Sequence, residues 1–567
     1  MSDATEAIRK GYTFDSDAIE LGVLVDGGTP LPDVKIRLAL SMLNRHGLVA
    51  GATGTGKTKT LQLIAEQISA AGVPVFAADI KGDLSGLGAP GVANEKLLAR
   101  TTAIGQDFVP AACPVEFYAL GGQGQGVPLR ATVSSFGPLL LSKVLGLNAT
   151  QESSLTLVFH YADTNGLLLL DLKDLNELLK FLVSDDGKPE LADLGGLAKA
   201  TVGVIQRQLS ALSAQGGDTF FGEPEFETED LLRTAPDGRG VISLLELPDL
   251  AQRPALFSTF LMWLLADLYQ HLPEAGDLDR PKLVFFFDEA HLLFEDASKA
   301  FQDAIEQTVR LIRSKGVGVF FVTQSPKDVP EDVLAQLGSR IQHQLRAHTP
   351  NDAKALKAAV ATYPKTDYDL AERLQQLGIG EAIVTVLNPD GAPTPVARTR
   401  MRAPRASMQP LEADAMTAAV AGSPLQARYG AAIDRESAYE VLNAKLQAGA
   451  EAAAAEQAAA ARAKADAEAA KAQTEQARAE AQRARAEAAR VKAEEAAQRE
   501  AERAAREQDR AREAERAGEQ ERTERSRPVR REKSLIEQIS ENSLVRQVAR
   551  SAAREITRSL FGTGRRR

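Results

Sequence analysis

The sequence predicts an α/β fold with a mainly parallel sheet, a helical insertion and a long C-terminal helical arm rich in alanine and charge. Three observations carry this. Apolar runs of the buried parallel-strand type alternate with helical stretches, a pattern that puts helices on both faces of one sheet. The stretch from Gly137 to Arg233 has the apolar spacing of packed helices and reads as a mostly helical insertion. Beyond about Arg435 the composition changes to Ala, Glu, Arg, Lys and Gln without proline as far as Glu524.

In chain order, residues 1–46 are a short lead-in with one alternating segment, Ile19 to Val23, that predicts a strand, and a short helical piece around Ile36 to Leu43. Residues 47–136 read as the first part of the core. Its apolar Leu48-Val49-Ala50 enters Gly51-Ala52-Thr53-Gly54-Thr55-Gly56-Lys57-Thr58, a helix follows over 59–71, and Val73 to Asp79 predicts a buried strand ending in the polar Asp79, Lys81 and Asp83. Further strands are predicted at Val115 to Leu120, Gly240 to Leu247, Lys282 to Phe287 and Gly318 to Thr323. Residues 137–235 form the helical insertion and 236–405 the second part of the core. That part closes with a hairpin, Ala382 to Leu387, turning through Asn388 to Gly391.

A connector at 406–448 leads to the arm at 449–527. There Glu487/Arg490, Glu495/Arg499 and Glu502/Arg506 bring opposite charges together on a helix surface. Between Glu451 and Thr523 the only large aliphatic residue is Val491, so a tight coiled coil lacks its seam and a solvated single helix is expected. Residues 528–567 are basic. An amphipathic helix from about Ser534 to Phe561 places Val545, Val548, Ala552, Ile556 and Leu560 on one stripe and Arg546, Arg550, Arg554 and Arg558 on another, suited to DNA phosphates, an anionic membrane, a protein partner or the protein's own core.

The 567 residues carry a formal net charge of −10, which excludes a wholly basic nucleic-acid coat. A lone Cys113 excludes an intrachain disulfide and fits a reducing, cytoplasmic compartment. No signal peptide is read at Met1 to Glu6, and the apolar run Ala255 to Leu272, broken by Asp267 and Gln270, predicts a buried helix rather than a membrane span.

The chemistry rests on three strand-end motifs. Gly-x4-Gly-Lys-Thr is the spacing of a phosphate-binding loop, in which backbone N–H groups turn inward around an anion at a helix N-terminus. Gly51, Thr53, Gly54, Thr55, Gly56, Lys57 and Thr58 would then hold a nucleotide, with Lys57 on the β- and γ-phosphates and the Thr58 hydroxyl on Mg²⁺. The strand Lys282 to Phe287 ends in Asp288-Glu289, where Asp288 would hold Mg²⁺ through water and Glu289 would polarise the water that attacks the γ-phosphate. His291 reads as structural. The strand Gly318 to Thr323 ends in Gln324, an amide able to contact the γ-phosphate or the water. Arg313, Arg340 and Arg346 flank it as candidates for a cation supplied to a neighbouring site.

Together these residues resemble the HerA/FtsK superfamily of ring-forming P-loop ATPases, and most closely the HerA-like YjgR-type proteins. The resemblance rests on Asn44 to Thr58, Asp79 to Leu84, Leu272 to Asp277, Phe286 to Phe294 and Thr323 to Pro326, spans roughly residues 10–405, and recurs at Ala553 to Arg558. It implies a RecA-like sheet, ATP and Mg²⁺ as cofactors, homo-hexamers with nucleotide at subunit interfaces, and translocation on double-stranded DNA. Residues 1–46 are too short for the N-terminal β-barrel by which archaeal members dock a nuclease. Asp288-Glu-Ala-His291 lies too far from Lys57 for a DEAH-box helicase, and no Ser-Ala-Thr motif or second RecA-like domain follows it. The competing class is an ATP-dependent switch or scaffold that recruits an unidentified protein partner or a membrane surface through the arm.

Overall fold

The computed structural model describes residues 3–120, 124–247, 254–276, 278–294 and 299–500. Among them one sheet of twelve strands forms the centre of residues 1–454. The strands are β1 (Ala18–Asp26), β2 (Thr29–Ala39), β3 (Gly47–Ala50), β4 (Val75–Asp79), β5 (Val115–Leu120), β6 (Val127–Leu129), β7 (Ile242–Glu246), β8 (Leu283–Phe287), β9 (Val317–Thr323), β10 (Ser339–Gln342), β11 (Glu381–Thr385) and β12 (Ala397–Met401). Their order is β2-β1-β12-β11-β10-β3-β9-β8-β4-β7-β5-β6. From β10 to β6 every neighbouring pair is parallel, and from β2 to β10 every pair is antiparallel. The expected mixed α/β fold with a mainly parallel sheet is therefore the observed one.

The strand period of two explains why the parallel half reads as unbroken apolar runs: both faces are covered. Leu48, Ala50, Phe76, Ala78, Phe285, Phe287, Val319 and Phe321 point to one core. Val49, Val75, Ala77, Val284, Phe286, Phe320 and Val322 point to the other. The helix that follows the glycine-rich loop, running from Lys57 to Ala70, covers the second face with Leu61, Ile64 and Ile68. The first face is covered by helices 133–144, 149–164, 172–183 and 199–214 of the insertion and by Pro254–His271. Phe257, Phe260, Trp263, Leu264 and Leu268 of the last are buried, each such side chain adding about 1.5–3 kcal/mol of transfer free energy. No helix among the described residues is long and apolar enough to cross a membrane.

The lead-in differs from the expectation. A helix, α1 (Asp3–Gly11), precedes β1, and the piece expected to be helical around Ile36 to Leu43 is instead the end of β2 followed by a 3-10 turn, Leu40–Arg45. Val34, Ile36 and Leu38 are buried while Lys35 and Arg37 between them are not, and this alternation overrides the helical reading of the apolar residues that follow. β1 pairs with β12, so the lead-in extends the closing hairpin β11-β12 rather than standing alone. That hairpin is fixed by Glu381, buried on β11, whose Oε2 accepts from Arg398 (Nη2 at 2.8 Å) and whose Oε1 accepts from Arg400 (Nε at 3.1 Å).

The arm begins as a docked helix. In Ala438–Glu500, Ala438 and Leu442 are buried in the first core. Ser437 Oγ donates to Asp174 Oδ1 at 2.5 Å, and Lys445 pairs with Glu190 at 2.6 Å. Residues 455–567 form a second unit, and the described part of it is helical to Glu500 with every side chain from 455 to 492 exposed. The scarcity of large aliphatic residues, Val491 being the one between 455 and 492, explains this: little there repays burial. The expected amphipathic helix from Ser534 to Phe561 lies outside the described residues.

Candidate active site

Three adjacent parallel strands, β3, β9 and β8, end on the same edge of the sheet, and their ends carry the three motifs. The loop after β3 is tied to its neighbours through the backbone. Gly51 N–H donates to Thr323 O at 3.2 Å, and Ala52 N–H to Gln344 O at 2.8 Å. Two of its glycines serve different needs. A Cβ on Gly51 would meet His343 Cβ at 2.5 Å, so Gly51 is required for space, whereas Gly54 stands in the open at φ 81° and is required for its left-handed backbone. Gly56, also left-handed at φ 115°, caps the following helix, whose first N–H groups have no intrahelical acceptor.

Lys57 is buried, and its Nζ donates to Gly51 O at 2.6 Å and Ala52 O at 3.3 Å. Burial lowers its pKa, while Glu289 and Asp288 pull it back up. Thr55 Oγ1 donates to Ala52 O at 2.7 Å and so braces the loop. Thr53 and Gly54 are exposed at the tip, and Thr58 is half-buried on the first helical turn.

At the end of β8, Asp288 Oδ1 accepts the N–H of Glu289 at 2.9 Å, and Ala290 N–H donates to Val322 O on β9 at 2.9 Å. Between them Glu289 adopts φ 46°, one of two non-glycine residues with positive φ among the described residues. A left-handed L-residue costs about 1–2 kcal/mol, a strain that neighbouring contacts must hold in place. The two carboxyls are driven apart. Burial pushes Asp288 up to about 6, with the nearby Glu289 and Asp79 charges adding to it. Burial acts on Glu289 too, but the Lys81 ammonium paired with its Oε1, aided by His291 and Lys57, leaves it below the ordinary glutamate range. One hydroxyl, Thr58, and one buried carboxylate, Asp288, suit a hard divalent cation that takes its remaining ligands from phosphate and water. No cluster of three His, Cys, Asp or Glu residues able to hold a metal on its own occurs among the described residues.

Gln324 is exposed in the turn after β9. Asp328 fixes that turn, accepting from Thr323 Oγ1 at 2.8 Å and from Ser325 N at 2.9 Å. A cavity of about 850 Å³ opens beside it, lined by Thr53, His291, Gln324, Lys327 and Arg346 among others. Of the three expected arginines, Arg346 is the one at the loop, its Nη2 lying 3.4 Å from Thr53 O. Arg340 turns to Thr362 O at 3.2 Å, and Arg313 sits in the turn before β9, at the opposite edge of the sheet.

Three supporting residues carry no sequence signal of their own. Buried His343 links Thr60 Oγ1 (2.9 Å from Nε2) to Glu381 O (2.8 Å from Nδ1). Because a carbonyl only accepts, Nδ1 carries the proton and Nε2 accepts from Thr60, and burial, lowering the pKa to about 4, keeps the ring neutral. Gly380 N–H donates to Thr55 O at 2.9 Å, which backs the loop from the β11 side. Arg100 in turn holds Gly380 O at 2.8 Å and Met401 O at 3.1 Å.

The helicase HerA-like C-terminal family model matches residues 27–492. The chain belongs to this HerA-like family. Among curated relatives, the DNA double-strand break repair helicase HerA of Sulfurisphaera tokodaii is 25% identical over 381 residues, which cover 65% of this chain and 67% of that one. The HerA of Saccharolobus solfataricus is 22% identical over 387 residues, 67% of this chain and 68% of its own length. Among solved structures, the bacterial conjugative coupling protein TrwB with sulphate matches at a TM-score of 0.47 and 15% identity, covering 72% of this chain and 93% of that one.

One further carboxyl at this edge of the HerA-like chain predicts a pH effect. Glu246, at the end of β7 and opposite Asp79, has its Oε1 buried without a hydrogen-bond partner among the described residues. Burial, with the Asp79 charge adding, pushes its carboxyl from 4.5 up to about 8. The folded chain thus holds this proton more tightly than the unfolded one. The stabilising contribution is complete below about pH 4.5 and is lost as the pH rises through about 8. Thermal melting of Glu246→Gln should decline less steeply than wild type over that range; parallel declines would contradict the assignment.

Proposed function

We propose that this protein is a Mg²⁺-dependent ATPase motor, assembled as a homo-hexamer, that acts on double-stranded DNA. The observation that carries the reading is the convergence of the phosphate loop, Asp288-Glu289 and Gln324 on the ends of three adjacent parallel strands, in a chain of the HerA-like family. The curated relatives are named as DNA double-strand break repair helicases, which supports DNA as the polymer.

In this reading Gly51, Thr53, Gly54, Thr55 and Gly56 cradle the phosphates with backbone N–H groups. Lys57 exchanges its loop carbonyls for phosphate oxygens and offsets the charge that develops there. Thr58 and Asp288 are the residues that would hold Mg²⁺, which would supply neutralisation of phosphate charge. Glu289 takes a proton from water as the water oxygen bonds to the γ-phosphorus and the bond to the ADP oxygen breaks. Gln324 orients that water from β9. Arg346 contacts the loop of its own chain, so Arg313 and Arg340 are the better candidates for reaching a neighbouring subunit's site.

The DNA assignment is tested by equilibrium binding of the full chain to linear double-stranded DNA across a salt series. Affinity should fall linearly in log–log form as phosphate counterions are released, with a slope near −0.9 per phosphate contacted. Absence of binding at low salt, together with nucleotide-dependent assembly, would favour the switch or scaffold reading instead.

A further inference from the structure

Glu289 presents its two carboxylate oxygens to different surroundings. Oε1 is paired with Lys81 Nζ, whereas Oε2 is buried and has no hydrogen-bond partner among the described residues. His291 Nδ1 lies 3.3 Å from Oε2 without the alignment of a hydrogen bond. The Glu289 side chain is 6% exposed and that of Lys81 48%, so the lysine reaches the buried carboxylate from the solvent side.

Lys81 is itself held in place. It sits in the turn after β4, the strand next to β8, where Asp79 Oδ2 accepts Leu84 N–H at 2.7 Å. Gln62, on the helix of the phosphate loop, donates to Asp83 O at 3.0 Å. The Glu289 backbone is fixed at φ 46° by Asp288 and β9, and its side chain is fixed at one oxygen by a cation anchored to the next strand. With Oε1 engaged by the lysine, Oε2 is the carboxylate oxygen without a hydrogen-bond partner among the described residues, and so the freer one to accept a proton.

We propose that Lys81 is a positioning residue for hydrolysis, holding Oε1 of Glu289 so that Oε2 is the oxygen that receives the proton of the attacking water. The inference rests on Glu289 being the base. The water O–H bond breaks as the O–Pγ bond forms, the proton passes to Oε2, the electron pair of the broken Pγ–O bond stays on ADP, and the proton leaves to solvent after phosphate departs. Lys81 gains and loses no proton in the step.

The test uses the full chain with Lys81→Ala, Lys81→Arg, Glu289→Gln and the double variant Lys81→Ala/Glu289→Gln, each confirmed as folded by thermal melting. Lys81→Ala is expected to lower kcat by about 10–100-fold, the range of losses for outer partners of a reacting group. KM for ATP should stay within about twofold, because the lysine is not assigned to nucleotide binding. Lys81→Arg should recover most of the rate. In single-turnover measurements, adding Lys81→Ala to Glu289→Gln should change the residual rate little, since the lysine acts through the carboxylate it no longer serves.

A higher basal kcat in Lys81→Ala would overturn the proposal by showing that the lysine restrains the base. A raised KM at unchanged kcat would make it a phosphate ligand instead, and a full multiplicative loss in the double variant would show that it does not act through Glu289. Wild-type turnover in Glu289→Gln alone would remove the base itself, a failure distinct from any of the Lys81 outcomes.

Discussion

Lys57→Ala is expected to lower ATP turnover by about 10²-fold or more, the loss typical of removing one preorganised charge from a phosphoryl-transfer site. Both charge and shape are lost. Nζ lies inside the loop, bonded to Gly51 O at 2.6 Å and Ala52 O at 3.3 Å. Its deletion removes the cation due to meet the phosphates and also unties two carbonyls of the cradle, so nucleotide affinity should fall together with kcat. Phosphate release and fluorescent-nucleotide titration on the same preparation check both. Retained turnover with retained binding would mean that the loop is not the hydrolytic site.

Glu289→Gln should separate the two. The amide keeps the size of the side chain and leaves an oxygen to accept from Lys81, yet it cannot take a proton from water. Binding should persist while kcat falls by about 10²–10⁴-fold, the usual contribution of a general base. Among the described residues no hydrogen bond joins the Glu289 side chain to the loop: its Oε1 is paired with Lys81, and its backbone N–H donates to Asp288. Equal loss of binding and rate would point to collapse of the strained turn at φ 46° rather than to a missing base.

The placement of Gly51 to Thr58, Asp288-Glu289 and Gln324 at strand ends was readable in the sequence because each follows directly on a short apolar strand. What the sequence hid was non-local. Lys81 and Glu289 meet across 208 positions, and only the adjacency of β4 and β8 brings them together. His343 follows a four-residue strand, Ser339–Gln342, whose burial comes from lying between β3 and β11 and not from its composition. The end of β2 was misread as helix because Leu38, Leu40 and Leu43 also fit helical spacing, and the alternation of Val34, Ile36 and Leu38 against Lys35 and Arg37 decides for a strand. The described arm from 455 to 492 was readable in composition alone, since its side chains are all exposed and no tertiary packing modifies the local pattern.

The central claim, that hydrolysis at this site drives movement on DNA, is tested most directly by steady-state ATP hydrolysis with and without linear double-stranded DNA, using Lys57→Ala to subtract contaminating activity. Several-fold stimulation by DNA of a Lys57-dependent rate is the predicted result. A Lys57-dependent rate indifferent to DNA would contradict the motor and leave an ATP-dependent switch whose partner is to be sought through the arm.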